Sequence, residues 1–203
     1  MKLVVATTNS NKVRELRQVL VGFELVGLHE LAVDIPEPVE DAATFEGNAR
    51  IKALAYAQAL QLSCVAEDSG LEVDALGGAP GVHSARYAGV DGAREEKDRA
   101  NNEKLLRELG DTTERAARFV CAICFVADGE VVFEARGSYD GVIVRGGADD
   151  PPRGTNGFGY DPLLFIPELG KTSAQLTPDE KNARSHRGQA ARKLARFLSG
   201  YSP

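Results

Sequence analysis

The order in which strand-like and helix-like segments alternate constrains the fold of this chain more than any other feature of its sequence. Residues 3–6 form a short apolar run, the polar residues 7–11 follow, and residues 12–20 place apolar side chains at helical spacing. This succession of strand, polar turn and helix is the start of an α/β unit. Residues 23–28 fit a second strand, so the pattern predicts an α/β protein.

The middle of the chain continues the alternation. Residues 45–62 are rich in alanine and predict a helix. Its apolar stripe is expected at Ile51, Leu54, Ala55 and Ala59. Residues 64–66 predict a buried strand that ends at the polar residues 67–70, and residues 71–75 predict a further short extended segment. A charged helix is predicted over residues 94–109.

A hairpin signal follows in the second half of the chain. Residues 119–127 and 131–136 fit two strands, and the dipeptide Asp128-Gly129 between them is typical of a two-residue hairpin turn. Residues 138–159 are rich in Gly, Pro and Asp and predict a long loop, which in a compact domain is usually functional or mobile. Residues 29–43 are acidic, contain two prolines and predict an exposed loop.

The C-terminal region predicts two helices rather than one. The sequence Thr-Pro-Asp-Glu at 177–180 has the cap, the proline and the glutamate of a helix start. In one continuous helix Lys181 and His186 would lie about 140° apart, so Ser185 is predicted to cap a second helix. The sequence contains no internal repeat and no convincing linker, so residues 1–203 are expected to form a single domain.

Composition limits the classes of partner. The 203 residues are 43% hydrophobic and 27% charged, which is ordinary for a globular protein. The net charge of −6 argues against a broad nucleic-acid surface, because such a surface needs a basic patch. No apolar stretch approaches the ~20 residues that span a bilayer, and the apolar N-terminal run is too short for a signal sequence. We expect a soluble, cytoplasmic protein without nucleic-acid or membrane partners.

The three cysteines are interpreted as core residues. Cys121 and Cys124 form a C-x-x-C, but they lie in a predicted strand, where positions three apart point to opposite faces. The sequence offers no second pair and no histidine cluster that would complete a zinc site. A redox or metal role is therefore less consistent with the sequence than simple burial.

Residues 7–12 form a candidate phosphate-binding turn between the first strand and the first helix. Backbone N–H groups at a helix N-terminus attract anions, and Lys12 adds a positive charge. The sequence is not a P-loop, since the G-x-x-x-x-G-K-[ST] pattern is absent. Taken alone, this segment is explained better by a plain helix cap.

Two acidic segments are candidates for metal binding or base catalysis. Asp68 follows a buried strand and could bind Mg²⁺ or act as a general base, while Ser69 and Gly70 could let a phosphate approach. Glu37 and Glu40 lie in the acidic loop, and Mg²⁺ is often held by one or two carboxylates together with substrate phosphates. Taken alone, Asp68-Ser69-Gly70 is explained better by a tight turn, and the acidic loop is explained equally well as a solvated loop.

A third group could recognise a nucleotide base. The sequence Phe-Gly-Tyr-Asp at 158–161 offers aromatic rings for stacking and a polar group that could contact a base edge. Lys181, His186 and Arg187 add hydrogen-bond donors near the predicted helix starts. A 6-oxo purine carries an acceptor where adenine has an amino donor, so donors would select for it.

In combination these segments resemble the inosine triphosphate pyrophosphatase family, which hydrolyses non-canonical purine nucleotides. The resemblance extends from residue 5 to about residue 190, with the matching segments in the family's order. These segments are ATTNSNKVREL, TFEGNARIKA, AEDSGLEVDALGGAPGVHSARYAG, FGYDPLLFIP and LTPDEKNARSHRGQA. The resemblance implies an elongated α/β domain with a long central mixed sheet flanked by helices, and two lobes that form a substrate cleft.

The resemblance also implies a reaction and assigns roles. In the implied reaction, water attacks the α-phosphorus of ITP, dITP or XTP, and the monophosphate and pyrophosphate are released with the help of Mg²⁺. Asp68 is the implied metal ligand and proton acceptor, with Glu40 or Glu37 as the second metal carboxylate. The implied substrate-binding residues are Thr7, Thr8, Asn9, Ser10, Asn11, Lys12, Ser69, Phe158, Gly159, Tyr160, Asp161, Lys181, His186 and Arg187.

Two other functions stay open on the sequence. A pyrophosphatase for modified pyrimidine nucleotides could share this architecture but would not need the implied purine pocket. A non-catalytic nucleotide-binding protein could share it too, although such a protein would be expected to lack the carboxylate at position 68. The family resemblance further implies a homodimer.

Overall fold

The computed structural model describes residues 2–31, 33 and 35–201 and confirms the α/β class. Within these residues seven strands form one sheet in the order β2-β1-β3-β4-β5-β6-β7. The strands are β1 Lys2–Val5, β2 Glu24–Gly27, β3 Cys64–Val73, β4 Ala116–Ala127, β5 Glu130–Ile143, β6 Leu164–Ile166 and β7 Lys171–Thr172. The α-helices are α1 Ser10–Val19, α2 Phe45–Leu60, α3 Arg94–Leu109, α4 Pro178–Arg184 and α5 His186–Gly200.

The sheet is mixed, as predicted. Strand β1 pairs in parallel with β2 and β3, whereas β6 pairs antiparallel with β5 and β7. The predicted hairpin joins β4 and β5 through Asp128 and Gly129, whose φ values of 51° and 79° are both positive, as a type I′ turn requires. In the described part of the chain no helix is both long and apolar enough to cross a membrane.

The chain forms two compact units. The first unit comprises Met1–Ser69, Cys121–Gly137 and Ser185–Pro203, and the second comprises Gly70–Val120 and Ser138–Arg184. In the first unit, apolar residues of β1, α1 and α5 share one core, which includes Leu3, Leu16 and Leu194 at 0% exposure. In the second unit, Leu71, Leu105 and Leu164 belong to a separate core.

The C-terminal region confirms the prediction of two helices. Before α4, the Thr177 hydroxyl accepts a hydrogen bond from the Glu180 amide at 3.2 Å, and the Glu180 carboxylate accepts one from the Thr177 amide at 2.8 Å. The Ser185 hydroxyl then caps α5 by accepting from the Gly188 amide at 3.1 Å. Both caps satisfy amide groups that have no partner within their helix.

Two predicted strand ends were wrong. Strand β3 does not stop at residue 66 but continues through residues 67–70 to Val73, and the carboxylates therefore lie inside a strand. Strand β5 continues to Ile143, so residues 138–143 belong to the sheet rather than to the predicted loop. Gly141 suggested a loop, but a Cβ atom there would lie 2.5 Å from the Phe165 carbonyl oxygen. The glycine thus allows close approach of β6.

The predicted apolar face of α2 was also wrong. Ala59 is exposed, and Ile51, Leu54 and Ala55 are half-buried. The buried face contains Phe45, Asn48, Ala49, Lys52, Ala53, Tyr56 and Ala57. Asn48 and Lys52 are buried because they have polar partners elsewhere in the first unit, and hydrophobic periodicity gives no signal for such partners.

The predicted acidic loop is only partly described. Leu28–Glu30 form a short 3₁₀ turn, and residues 35–44 form no helix or strand. Ala32 and Asp34, which the prediction also covered, lie outside the described residues. The three cysteines are buried and free, in agreement with their interpretation as core residues.

Candidate active site

The predicted phosphate-binding turn forms a helix cap in the first unit. The Asn9 side-chain oxygen accepts hydrogen bonds from the amides of Asn11 at 3.1 Å and Lys12 at 3.4 Å. The Asn9 amide in turn donates to the Thr7 hydroxyl at 3.2 Å. Thr8 and Ser10 are exposed. The turn is therefore fixed by its own side chains and presents two hydroxyl-bearing residues to solvent.

Lys12 extends from this turn to a buried ionic network. Its Nζ lies 3.1 Å from Oε1 of Glu67, whose side chain is fully buried. Arg187 binds the same carboxylate through Nε at 2.7 Å and Nη2 at 3.0 Å, and its other terminal nitrogen binds Glu15. Nη2 also donates to the Ser69 hydroxyl at 2.9 Å. Two predicted site residues, Lys12 and Arg187, thus meet at Glu67, and a third, Ser69, joins them through Arg187.

The electrostatics of this network favour the ionised forms. Burial alone raises the pKa of Glu67, but the charges of Arg187 and Lys12 outweigh it and hold that pKa well below its usual range. Burial likewise lowers the pKa of Arg187, and Glu67 and Glu15 more than reverse this effect. The Cys121 thiol donates to Glu67 at 2.9 Å, and burial followed by the Glu67 charge raises its pKa.

Asp68 belongs to a different cluster. Successive strand residues point to opposite faces, which is why Glu67 and Ser69 contact Arg187 while Asp68 contacts α2. The Asn48 amide nitrogen lies 3.2 Å from Asp68 Oδ2, and Lys52 Nζ lies 3.5 Å from Asp68 Oδ1. Lys52 Nζ also lies 2.7 Å from Oε2 of Glu40. One ammonium group thus joins Asp68 to the acidic loop.

The contacts distinguish the two glutamates of the acidic loop. Glu40 is half-buried and shares Lys52 with Asp68, whereas Glu37 is exposed and contacts neither group within the described residues. Burial lowers the pKa of Lys52, but the charges of Asp68 and Glu40 raise it above its ordinary value. Lys52 is therefore a stable cation between two carboxylates.

The predicted base-binding segment lies in the second unit. Asp161 is 2% exposed, and its carboxylate accepts from Lys181 Nζ at 2.6 Å, the Ser173 hydroxyl at 2.6 Å and the Phe158 amide at 2.8 Å. Lys181 Nζ lies 5.3 Å from the Phe158 ring centroid, and the Arg94 guanidinium carbon lies 4.5 Å from it. The segment thus combines an aromatic face with two cations and a carboxylate.

Gly159 and Tyr160 support this segment. The Gly159 amide donates to Asp98 at 2.8 Å, and its carbonyl accepts from the Asn102 side chain at 3.1 Å. The Tyr160 ring is 4% exposed in the core, its hydroxyl donates to the Ser84 carbonyl at 2.9 Å, and burial raises its pKa. Of the two rings predicted to stack on a base, Tyr160 is therefore a core residue, whereas Phe158 is half-buried.

The structure divides the predicted residues between the two units. Residues 7–12, Glu37, Glu40, Asp68, Ser69, His186 and Arg187 belong to the first unit, and residues 158–161 and Lys181 belong to the second. His186 is 5% exposed at the start of α5, and Arg187 is committed to Glu67, Glu15 and Ser69.

Sequence reasoning missed four polar residues of the clusters in the first unit: Glu15, Asn48, Lys52 and Glu67. Asn48 and Lys52 are four residues apart on α2, and this spacing places them on one helix face. This spacing was the one sequence signal that could have indicated the pair. Glu15 and Glu67 had no local signal, because Arg187 lies far from both in sequence.

Comparison with known proteins identifies the family. The sequence model of the Ham1 family matches residues 3–197. A dITP/XTP pyrophosphatase of Exiguobacterium sp. is 49% identical over 196 residues, which cover 96% of this chain and 95% of that protein. A dITP/XTP pyrophosphatase of Staphylococcus epidermidis is 45% identical over 198 residues, covering 98% of this chain and 96% of that protein.

Solved structures agree with this assignment. The Staphylococcus aureus Ham1 protein superposes with a TM-score of 0.85 at 42% identity and covers 98% of this chain and 99% of its own. A nucleoside-triphosphatase, or dITP/XTP pyrophosphatase, from Mycobacterium abscessus gives a TM-score of 0.74 at 42% identity, with coverage of 98% and 99%. These findings confirm the predicted family resemblance and the mixed α/β fold. The chain belongs to the Ham1 family.

Proposed function

We propose that this protein hydrolyses non-canonical purine nucleoside triphosphates such as ITP, dITP and XTP to the monophosphate and pyrophosphate, and so removes them from the nucleotide pool. The names of its relatives support this substrate class. The observation that supports the chemistry most directly is the Asp68–Lys52–Glu40 cluster, in which two carboxylates flank one ammonium group.

In this proposal Asp68 orients the attacking water and accepts its proton. The water oxygen forms a bond to the α-phosphorus while the bond from that phosphorus to the bridging oxygen breaks, and pyrophosphate leaves. Asn48 donates to one Asp68 oxygen at 3.2 Å, which restricts the rotation of the carboxylate. The phosphate chain is bound by the positive charge of Lys12 and by the hydroxyl groups of Thr8 and Ser10.

The carboxylate cluster also fits a divalent metal. Within the described residues no three His, Cys, Asp or Glu side chains group into a site made by protein alone. Mg²⁺ does not need such a site, because it commonly takes one or two carboxylates and completes its shell with waters and substrate phosphates. Asp68 and Glu40 would hold it, and when bound it would neutralise charge on the departing pyrophosphate.

Base recognition is assigned chiefly to residues of the second unit. Phe158 offers its face to a purine, and Lys181 offers ammonium donors held in place by Asp161. Such donors suit the 6-oxo group of hypoxanthine or xanthine and disfavour the 6-amino group of adenine. His186 is retained as a proposed contact to the base. Arg187, by contrast, is assigned to holding Glu67 and Ser69.

Turnover of a substrate panel tests this proposal. Pyrophosphate release by the pure protein should be fastest with dITP and XTP, much slower with dATP, dUTP and dTTP, and dependent on added Mg²⁺. Dominant pyrimidine turnover would show that the substrate class is wrong, and no release from any nucleotide would indicate a non-catalytic binder. We further propose that the protein forms a homodimer, that residues 1–203 act as a single functional domain and that the protein is cytoplasmic. Sedimentation would test the homodimer.

A further inference from the structure

A cavity of about 340 Å³ in the second unit shares no residue with the proposed active site. It lies beside the end of β5 and the loop that follows it. The residues that define its chemistry are Arg115, Ile143, Arg145, Asp150, Arg153 and Phe165. Small-molecule sites in proteins begin at about 300 Å³, so the cavity has the size of a ligand site.

Arg115 brings a buried positive charge to this cavity. It is 5% exposed, and its guanidinium donates to four backbone carbonyls: Gly110, Thr112, Ile143 and Val144. Among the described residues no carboxylate forms an ion pair with it. Burial and then the nearby charge of Arg145 lower the pKa of Arg115, which shows that the two cations repel each other.

The one carboxylate of the cavity wall does not balance these charges. Asp150 accepts from Arg153 Nη2 at 2.7 Å with one oxygen and from the backbone amide of Arg145 at 2.9 Å with the other. The Arg145 side chain forms no ion pair within the described part of the chain. Three arginines against one aspartate leave a formal charge of about +2 around the cavity.

Arg153 adds a donor that lacks an acceptor. Its Nε is shielded from solvent and donates to no group among the described residues. The Arg153 guanidinium carbon lies 5.2 Å from the ring centroid of Phe165, so the ring fixes the orientation of the guanidinium. A shielded donor without an acceptor is unfavourable, and an anion bound in the cavity would supply that acceptor.

We propose that this cavity binds a phosphate group, either of an inorganic phosphate species or of a small nucleotide. Arginine is suited to this ligand because its planar guanidinium can donate two parallel hydrogen bonds to a phosphate. The charge of about +2 matches a phosphate dianion better than a singly charged carboxylate. Phe165 supplies an apolar wall for the remainder of an organic phosphate.

Arginine Nε–H resonances of the full-length protein test the proposal. Inorganic phosphate, pyrophosphate and dIMP are titrated separately, and the signals of Arg145 and Arg153 are followed by ¹H–¹⁵N NMR. We expect saturable shifts of both signals, and the probe with the lowest Kd identifies the source of the phosphate group. If neither signal saturates with any of the three probes, the proposal is overturned.

Two variants make the assignment specific. In Arg145→Gln, the Kd read from the Arg153 signal should rise at least ~10-fold, because a charge-assisted hydrogen bond is lost. Arg145 has no side-chain ion pair, so this change leaves the fold intact. Arg99→Gln removes an exposed charge of α3 from the same unit and should change the Kd less than about twofold. Equal weakening in both variants would show non-specific charge attraction and contradict the proposal.

Discussion

Two carboxylate–lysine pairs, one in each unit, differ in what surrounds them. In the second unit Lys181 Nζ lies 2.6 Å from Asp161, whose carboxylate is also bonded to Ser173 and to the Phe158 amide. In the first unit Lys52 Nζ lies 3.5 Å from Asp68 and 2.7 Å from Glu40. In the second unit, one carboxylate pairs with one ammonium group, so their charges cancel. In the first unit, two carboxylates share one ammonium group.

The charge balance of the two groups suggests which part of a nucleotide each one fits. Asp161 and Lys181 sum to zero, so they can contact an uncharged purine without a charge mismatch. Asp68, Glu40 and Lys52 sum to −1, so an additional cation is favoured beside them. A metal bound to a triphosphate supplies such a cation. In the proposed function, the first cluster serves phosphate chemistry and the second pair serves base recognition, and each of the following experiments tests one of these two assignments.

Glu67→Gln should cause the largest loss of stability. Glu67 is fully buried between Lys12 and Arg187. Removal of its charge takes away the carboxylate that pairs with Lys12 and leaves Arg187 with Glu15. Breaking a buried ion pair in this way typically costs about 3–5 kcal/mol. Denaturant unfolding measures the change, and Glu24→Gln, at an exposed position of the same unit, is the control. Equal stability of the two variants would contradict the role given to Glu67.

The same residue predicts a pH dependence. The folded pKa of Glu67 lies below the ordinary value of 4.5, so its contribution to stability is complete above that pH. Below 4.5 the unfolded chain takes up a proton first, and the contribution is lost as the pH falls through the folded pKa. Unfolding free energies measured between neutral and acidic pH should fall more steeply for the native protein than for Glu67→Gln.

Asp68→Asn should keep the fold and lose at least ~100-fold in kcat for dITP, which is the usual scale for removal of a catalytic base. Steady-state pyrophosphate release measures the change, with the melting temperature as a check on folding. Asp111→Asn, at an exposed position after α3, is the matched control and should be unaffected. Near-normal turnover in Asp68→Asn would show that another group accepts the proton.

Glu40→Gln and Glu37→Gln separate the two candidate metal carboxylates. Because Glu40 shares Lys52 with Asp68, its variant should need about 10-fold more Mg²⁺ to reach half-maximal activity. Glu37 is exposed and contacts neither group in the described structure, so its variant should follow the native titration. If Glu37→Gln needed more Mg²⁺ than Glu40→Gln, the second metal carboxylate would be Glu37 instead of Glu40.

Lys181→Met should have the smallest effect on the chemical step. Loss of the ammonium bonded to Asp161 should raise KM for dITP about 10-fold, reduce the preference for dITP over dATP, and leave kcat nearly unchanged. Lys171→Met removes an exposed ammonium 3.3 Å from Glu180 and serves as the control. A fall in kcat without a change in KM would show that Lys181 acts on the phosphates instead.

The features that the sequence predicted correctly depend on neighbouring residues. The bounds of α3, the Asp128-Gly129 turn and the two C-terminal helix caps all follow from interactions over a few positions. The errors share one cause, which is a distant partner. Residues 67–70 suggested a strand end because an unpaired carboxylate is rarely buried, and Arg187 supplies the missing charge from 120 positions away.

The candidate site shows the same limit. Asp68 and the segment 158–161 could be identified from their residue types and the family resemblance. The network around Lys52 could not, because two polar residues on a buried helix face contradict hydrophobic periodicity unless their partners are known. Similarly, Tyr160 suggested a stacking residue, but its hydroxyl bonds to Ser84, which holds the ring in the core.

Hydrolysis of dITP in ¹⁸O-labelled water tests the central claim most directly. If Asp68 directs water to the α-phosphorus, ³¹P NMR and mass spectrometry should show dIMP and pyrophosphate as the products, with the label in dIMP alone. Label in pyrophosphate, or release of dIDP and inorganic phosphate, would place the attack on another phosphorus and contradict the account.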